Sequence, residues 1–214
     1  MTFKDLSFRK KLEHIWEYYK LHIVGVLIVL GCIAYTVSWY TSQVEPIINV
    51  VLLNCPSTEE SVQEGFSSFF SEQGYALYDE MAAINMNAYL SGDMDVQTQY
   101  ETSEALYAVL AVGKQDLFIG AGEFCLKYAQ KGLFCDLTTL LPEELLAQHS
   151  DELVYADDNG ETAAYPCAIS FSENDWLTEF GNFRSCYVAV PYHGENPEVT
   201  VEFLQYLLAE QYDN

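Results

Sequence analysis

An uncharged apolar run near the amino terminus, followed by strand-like and helix-like segments in alternation, predicts one α/β domain carried behind a single membrane-spanning helix. Residues 21–40, LHIVGVLIVLGCIAYTVSWY, contain no Lys, Arg, Asp or Glu. At 1.5 Å rise, ~20 such residues cross the ~30 Å hydrocarbon core of a bilayer as one helix. Bounded β-branched runs such as PIINVVLLN, at 46–54, then alternate with segments of helical period, which is the pattern of a layered α/β fold. The remaining ~170 residues suit one domain of ordinary size, and a chain that is 50% hydrophobic and 14% aromatic can fill its core. The expected organisation is a juxtamembrane helix over 1–20, the span over 21–40, a linker over 41–46 and an α/β domain of three-layer type over 47–214.

The flanks of the span set its direction. Trp16, Tyr18 and Tyr19 precede it and Trp39 and Tyr40 close it, so amphipathic rings stand where both headgroup layers fall. Lys4, Arg9, Lys10, Lys11 and Lys20 lie on its amino-terminal side, whereas the next basic residue is Lys114. The positive-inside rule puts the amino terminus in the cytoplasm and residues 41–214 outside it. A cleaved signal peptide would need a shorter apolar core and a small-residue exit, and this run continues through Ile33, Ala34, Val37 and Trp39. Val29-Leu30-Gly31-Cys32 resembles a lipobox, which leaves lipidation of Cys32 open, but the residues after Cys32 stay apolar. With or without lipidation of Cys32 the domain stays tethered on the same side.

Charge excludes one large class of partners. Beyond residue 40 only Lys114, Lys127, Lys131 and Arg184 oppose 29 acidic residues. Such a domain repels phosphate backbones and lacks the basic stripe that nucleic acids require. Cys55, Cys125, Cys135, Cys167 and Cys186 lie on the side where disulfides are permitted. Proximity in sequence suggests Cys125 with Cys135 and Cys167 with Cys186, while buried free thiols remain an equal alternative.

Taken in order, residues 3–20 have neither Gly nor Pro and space Leu6, Phe8, Leu12, Ile15, Trp16 and Tyr19 at helical intervals. After the first strand, Ser57-x-x-Glu60 reads as a capping box opening a helix with Val62, Phe66, Phe69 and Phe70 inward, stopped by Gly74. Residues 75–90 are ambiguous between strand and mixed structure. A helix ending at Gly113, a buried strand at 115–122 and a helix ending at Gly132 follow, then a short helix opened by Pro142. Asp157-Asp158-Asn159-Gly160 predicts a hairpin turn, with 160–172 as the returning strand and Pro166 favouring an edge or an irregular start. A short helix at 173–181, a strand at 186–193 and a final amphipathic helix with Val201, Phe203, Leu204, Leu207 and Leu208 inward complete the chain.

DLFIGAGEFCLKYAQKGLFCDLTTLLPEE, from Asp116, resembles the extracellular solute-binding proteins of bacterial ABC importers, in which a "pDl" strand enters a helix with "la..G" and an extended "l.dL" segment follows. Asp116-Leu117-Phe118-Ile119, Tyr128-Ala129, Gly132 and Asp136-Leu137 stand at the matching places. GETAAYPCA at 160–168 resembles the "gk.yglP" strand, and NPEVTVEFLQYLL the terminal "np..a..Fl.yl" helix. The WEYYKLH entry is similar to that of small bacterial membrane proteins carrying such domains. The resemblance implies a periplasmic-binding-protein-like lobe. A family member closes two lobes around its solute and needs about twice this length, so the implied form is one anchored lobe without an interlobe cleft.

No G-x-S-x-G, H-E-x-x-H, P-loop or dinucleotide fingerprint is present, and the expectation is a binding or assembly module, not an enzyme, needing no cofactor and no metal. Beyond the span the histidines are His149 and His193, and Cys186 or Cys167 with His193 is the one thiol–imidazole pair to consider. Asp151, Glu152, Asp157, Asp158 and Glu161 are rich in oxygen ligands but lack calcium-loop spacing. Among the aromatic residues, Tyr165, Trp176, Phe180, Tyr187 and Tyr192 are the candidate ligand or partner contacts, with Trp176, in the polar context ENDWLTE, expected to be exposed. The implied partners are the membrane, through 21–40, another membrane or surface protein, and a small molecule.

Overall fold

The computed structural model describes residues 8–42, 45–76, 81–156, 164–172 and 174–210. The chain divides into two compact units, Met1–Glu45 and Pro46–Asn214. In the first, a continuous helix α1 runs over Phe8–Ser42. Its stretch Tyr19–Ser38 has a mean hydropathy of 2.2 and none of it is buried, which makes it long and apolar enough to cross a membrane. Leu21, Leu27, Ile28 and Leu30 all project outward. In water that surface would be unfavourable by ~25 cal/mol per Å².

The second unit is mixed α/β. Strands β1 (Ile48–Leu53), β2 (Ala82–Ala88), β3 (Leu117–Gly120), β4 (Leu153–Tyr155), β5 (Pro166–Ser172) and β6 (Ser185–Ala189) form one sheet of order β2-β1-β3-β6-β5-β4. Half of it is parallel, with β1 between β2 and β3. The other half is antiparallel, β6 pairing with β3 and with β5, and β5 with β4. The segment 75–90, ambiguous in sequence, supplies β2 because Ile84 and Met86 pack on one core while Asn85 and Asn87 alternate outward. Its neighbour β1 is buried almost throughout and accordingly reads as a continuous apolar run.

Helices cover both faces. Helix α2 (Glu59–Glu72) returns β1 to β2 on one side, and α3 (Val96–Val112) carries β2 past β1 to β3. Because parallel crossovers are right-handed, this reversal of direction places α2 and α3 on opposite faces. One core gathers Phe66, Phe69, Phe70, Trp176, Phe203 and Leu207 around α2, α6 (Asp175–Glu179) and α7 (Pro197–Glu210). The other gathers Leu106, Leu110, Phe118, Tyr128 and Phe134 around α3 and α4 (Gly122–Ala129). A 3-10 turn at Leu137–Thr139 and α5 (Glu143–Gln148) lead to β4.

Local chemistry sets the element ends with one correction. The cap of α2 is Thr58, whose side chain accepts from Ser61 N at 3.3 Å, one residue later than the Ser57 capping box expected. Asp95 caps α3 by accepting from Thr98 N at 3.0 Å, and Gly113 ends it. Pro166 begins β5, an interior strand, beside a register irregularity between Val154 and Tyr155. A first strand residue needs no ladder donor there. The turn expected at Asp157–Gly160 lies outside the described residues.

Asp116 ties the parallel half of the sheet to the segment that leads into α7. It is 1% exposed and sits just before β3. Its Oδ2 accepts from Asn49 N (2.8 Å), Asn49 Nδ2 (3.1 Å) and Asn196 Nδ2 (3.0 Å), and its Oδ1 from Asn196 N (2.8 Å). Asn49 opens β1 and Asn196 precedes α7, whose first turn it tethers by accepting from Thr200 Oγ1 at 2.8 Å. Replacing Asp116 with Ala leaves these partly buried donors without their acceptor. The expected loss is about 2–4 kcal/mol of unfolding free energy in urea titration, and a variant as stable as the parent contradicts the staple.

Candidate functional site

In an open sheet with a parallel half, ligands favour the crevice beyond the carboxyl ends of the strands where the order reverses. Here that point lies between β1, which leads to one side, and β3, which lies on the other. Its walls are Asn54 and Cys55 after β1, and Gly120, Ala121 and Gly122 where β3 enters α4. Asn54 holds φ 56, a left-handed conformation that Asn tolerates. From it the side chain brackets Leu90 by donating to its carbonyl (2.6 Å) and accepting from its N–H (2.7 Å).

The crevice is filled by the chain's own aromatic side chains. Tyr187, opposite Gly120 on β6, lays its ring over Gly122 so closely that a Cβ there would stand 2.7 Å from it. Phe180 covers Gly65 of α2 in the same way, at 2.6 Å. The connecting loop is pinned by Cys55 Sγ, which donates to Gly181 O at 3.4 Å, and by Ser61 Oγ, which donates to Phe180 O at 3.0 Å. Glycine is required at 65 and 122 by close approach, a signal no periodicity carries.

The five aromatic candidates do not gather into one patch. Trp176, expected at the surface, is 2% exposed. Its indole N–H donates to Gly65 O at 3.1 Å and its ring meets Phe66 (5.0 Å) and Phe203 (4.9 Å). The polar neighbours that suggested exposure are explained by α6: Asn174 caps it, and Asp175 and Glu179 face outward while Trp176 and Leu177 face the core. Phe180 and Tyr187 are half-buried at the carboxyl ends of β1 and β3, as above. Tyr165 and Tyr192 belong to the opposite end of the sheet: Tyr165 donates to Phe134 O at 3.5 Å, and Tyr192, 67% exposed, lies edge-on to His193.

All six cysteines are free. The pairs suggested by sequence proximity straddle the sheet: Cys125 and Cys167 pack in the α3/α4 core, whereas Cys135 and Cys186 pack in the other. Thiols separated by a sheet layer do not reach bonding geometry. Burial pushes Cys186 up to about 12 and Cys167 up to about 11 from the ordinary 9.0, and raises Cys125 further. A nucleophilic thiol needs the opposite shift. His193 neighbours Tyr192, while the buried His149 is engaged through Nδ1 with Glu152 at 2.6 Å.

Two other clusters have structural duties. Ser103 Oγ accepts from Lys127 Nζ at 3.0 Å and lies 3.3 Å from Tyr128 OH, a hydroxyl–amine–phenol group reminiscent of acyl transfer. Ser103 is 3% exposed in the seam between α3 and α4, where a substrate has no approach. Among the described residues no group of three or more His, Cys, Asp or Glu is placed to hold a metal ion. Of the acidic loop, Asp151 and Glu152 are described and 157–163 are not.

The thiols carry a pH signature. Their pKa values are raised by folding, so their contribution is intact below about 9 and is lost as pH climbs through the folded values of about 11 and 12. Stability should therefore fall with pH above about 9, and the Cys186→Ala variant should fall less steeply over that window. Equal slopes in urea titrations of the two proteins would contradict the assignment.

Compared with known protein families, curated proteins and solved structures, the chain finds no match.

Proposed function

We propose that this chain is a single-pass membrane protein that presents an acidic α/β domain outside the cytoplasm as a binding or assembly module, without catalytic chemistry of its own. The observation that carries the reading is α1, whose Tyr19–Ser38 stretch exposes an apolar surface around its whole circumference. A helix that is apolar all round requires either a protein interior or lipid, and none of this window is buried. Basic residues stand before the stretch and not for a long way after it, which supports an amino terminus in the cytoplasm. Raised thiol pKa values and a buried, inaccessible serine favour a module defined by contact over one defined by reaction.

The descent suggested by the sequence resemblance is from one lobe of an extracellular solute-binding protein. The parallel half-sheet supplies a second reading, ligand capture at the carboxyl ends of β1 and β3. It requires Tyr187 to leave Gly122, since the ring fills the space a small solute would take. A shift in melting temperature of the detergent-solubilised chain with a sugar, amino acid or divalent cation, lost in Tyr187→Ala, would favour capture. No shift across such a panel would remove it.

Topology tests the leading reading directly. Alkaline phosphatase fused after Asn214 is expected to be active in cells, and green fluorescent protein at the same place dark. The reverse pattern, or recovery of the full chain as a soluble monomer without detergent, overturns the reading.

A further inference from the structure

Helix α1 carries an apolar seam that outlasts the membrane-length stretch. Phe8, Leu12, Ile15, Tyr19, His22, Val26, Val29, Ile33 and Thr36 follow one another at alternating steps of four and three residues along a single continuous helix. That is the 3.5-residue spacing of the a and d positions through which supercoiled helices pack. Two of these residues, His22 and Thr36, are polar types, and Thr36 turns its hydroxyl into its own helix by donating to Cys32 O at 2.8 Å. The seam is concave where such packing needs it to be. Tyr19, His22, Ile23, Val26 and Leu27 line an open concavity on α1. The first four stand at i, i+3, i+4 and i+7, the four-residue hole into which a knob from a facing helix inserts.

The amino-terminal part of the seam lies beyond the reach of lipid tails. α1 has 35 residues, about 52 Å at 1.5 Å per residue, against the ~30 Å of the hydrocarbon core. From Phe8 to Tyr18 the same helix continues outside the apolar stretch that opens at Tyr19. Over that length positions 8, 12 and 15 share one side of the helix, Lys11 and Trp16 flank it, and Arg9, Lys10, Glu13 and Glu17 fall on the other side. Because α1 is unbroken, this part does not turn to lie along the membrane surface. An apolar strip among charges calls for a second apolar surface, and another helix end-on to the membrane supplies one.

We propose that this seam is where a second copy of the chain packs, α1 beside α1, parallel and in the same register. The inference rests on the membrane-spanning reading above, because insertion in one direction makes every copy parallel to every other. Each seam position then meets its own counterpart across a two-fold axis. Position 11 stands opposite position 16 of the other copy, which sets a base beside an indole, and position 18 opposite 23, which sets Tyr beside Ile. No like charges meet along the seam. His22, edge-on to Tyr19 at 6.2 Å in its own chain, meets His22 of the second copy. One such polar layer in an apolar seam fixes the register. The acidic domains repel one another, so the attraction comes from α1.

The test is disulfide cross-linking of the full chain in the membranes of the expressing cells, with Cys32, exposed on α1, replaced by Ser. Single cysteines are placed on the seam, Leu12→Cys or Ile15→Cys, and off it, Glu13→Cys or Glu17→Cys. Diamide, a membrane-permeant diazene, takes one hydrogen from each of two thiols and becomes the hydrazine as the S–S bond forms. A covalent dimer is expected from both seam variants, and from the other two no more than from the Cys32→Ser parent. Ile15→Lys, which sets a charge on the seam outside the span, should weaken self-association of the detergent-solubilised chain at least about tenfold in sedimentation equilibrium. Glu17→Gln should leave it unchanged. For chain found in the membrane pellet, the absence of a dimer, equal cross-linking on and off the seam, a cross-link to a different protein in place of a second copy, or association that Ile15→Lys leaves intact overturns this proposal alone. Chain recovered outside the membrane overturns it together with the reading on which it rests.

Discussion

Asp116 ties the starts of β1 and β3 to the segment that leads from β6 into α7, beside the β3–β6 ladder that joins the two halves of the sheet. A parallel sheet built from β1, β2 and β3 has no intrinsic reason to accept antiparallel strands from the end of the chain. Its edge at β3 is an open ladder. The β3–β6 ladder closes that edge, and the carboxylate secures the chain beyond β6 by accepting from Asn49 near the start of β1 and from Asn196 just before α7. Burying a carboxylate is costly unless its lone pairs are occupied, and four donors occupy them here. The bond set is also reciprocal: Asp116 N donates to Asn49 O at 2.8 Å while the side chain accepts from Asn49 N, so β1 and the start of β3 are held in register. Gly194 belongs to the same device, since a Cβ there would press to 3.1 Å from Asp116 Oδ1.

Much of this architecture was legible because its causes are local. β1, β3 and the stop of α3 follow from bounded apolar runs and Gly113, and the inward residues of α2 and α7 from helical spacing. β2 was not legible: AAINMNA mixes poor strand formers, and only the neighbouring β1 makes it a strand. Sheet order was equally hidden, because it rests on contacts between residues far apart in sequence, such as Asn49 with Asp116 and Trp176 with Gly65. The same distance explains Trp176. Read one-dimensionally its surroundings are polar, but on a short helix those polar residues are the solvent side and the cap.

The candidate site was less legible than the fold for a related reason. Sequence could rank aromatic residues by density but not by end of the sheet, and the antiparallel course of β5 and β6 sends Tyr187 to one end and Tyr192 to the other. Cysteines pose the same difficulty. Ten residues separate Cys125 from Cys135 in the chain, but a sheet layer separates them in space, and thiols buried in apolar surroundings behave as small hydrophobes. Asn54 did carry a local signal: Asn directly after a buried strand and before Cys-Pro marks a left-handed turn.

What remains is how so acidic a domain keeps any sticky surface at all. Charge repulsion protects it from indiscriminate association, and it acts over about a Debye length, some 8 Å at physiological ionic strength. Apolar contact acts only where surfaces touch. Along the seam of α3 with α4, Lys131 lies 3.7 Å from the exposed Glu104 and Lys127 donates to the buried Ser103 at 3.0 Å. Two of the four basic residues after α1 are engaged in this one helix pair. At the carboxyl ends of β1 and β3 the opposite arrangement holds, with Tyr187 and Phe180 closing the crevice from within. The fold thus fills, with its own side chains, the place where such sheets ordinarily take ligands.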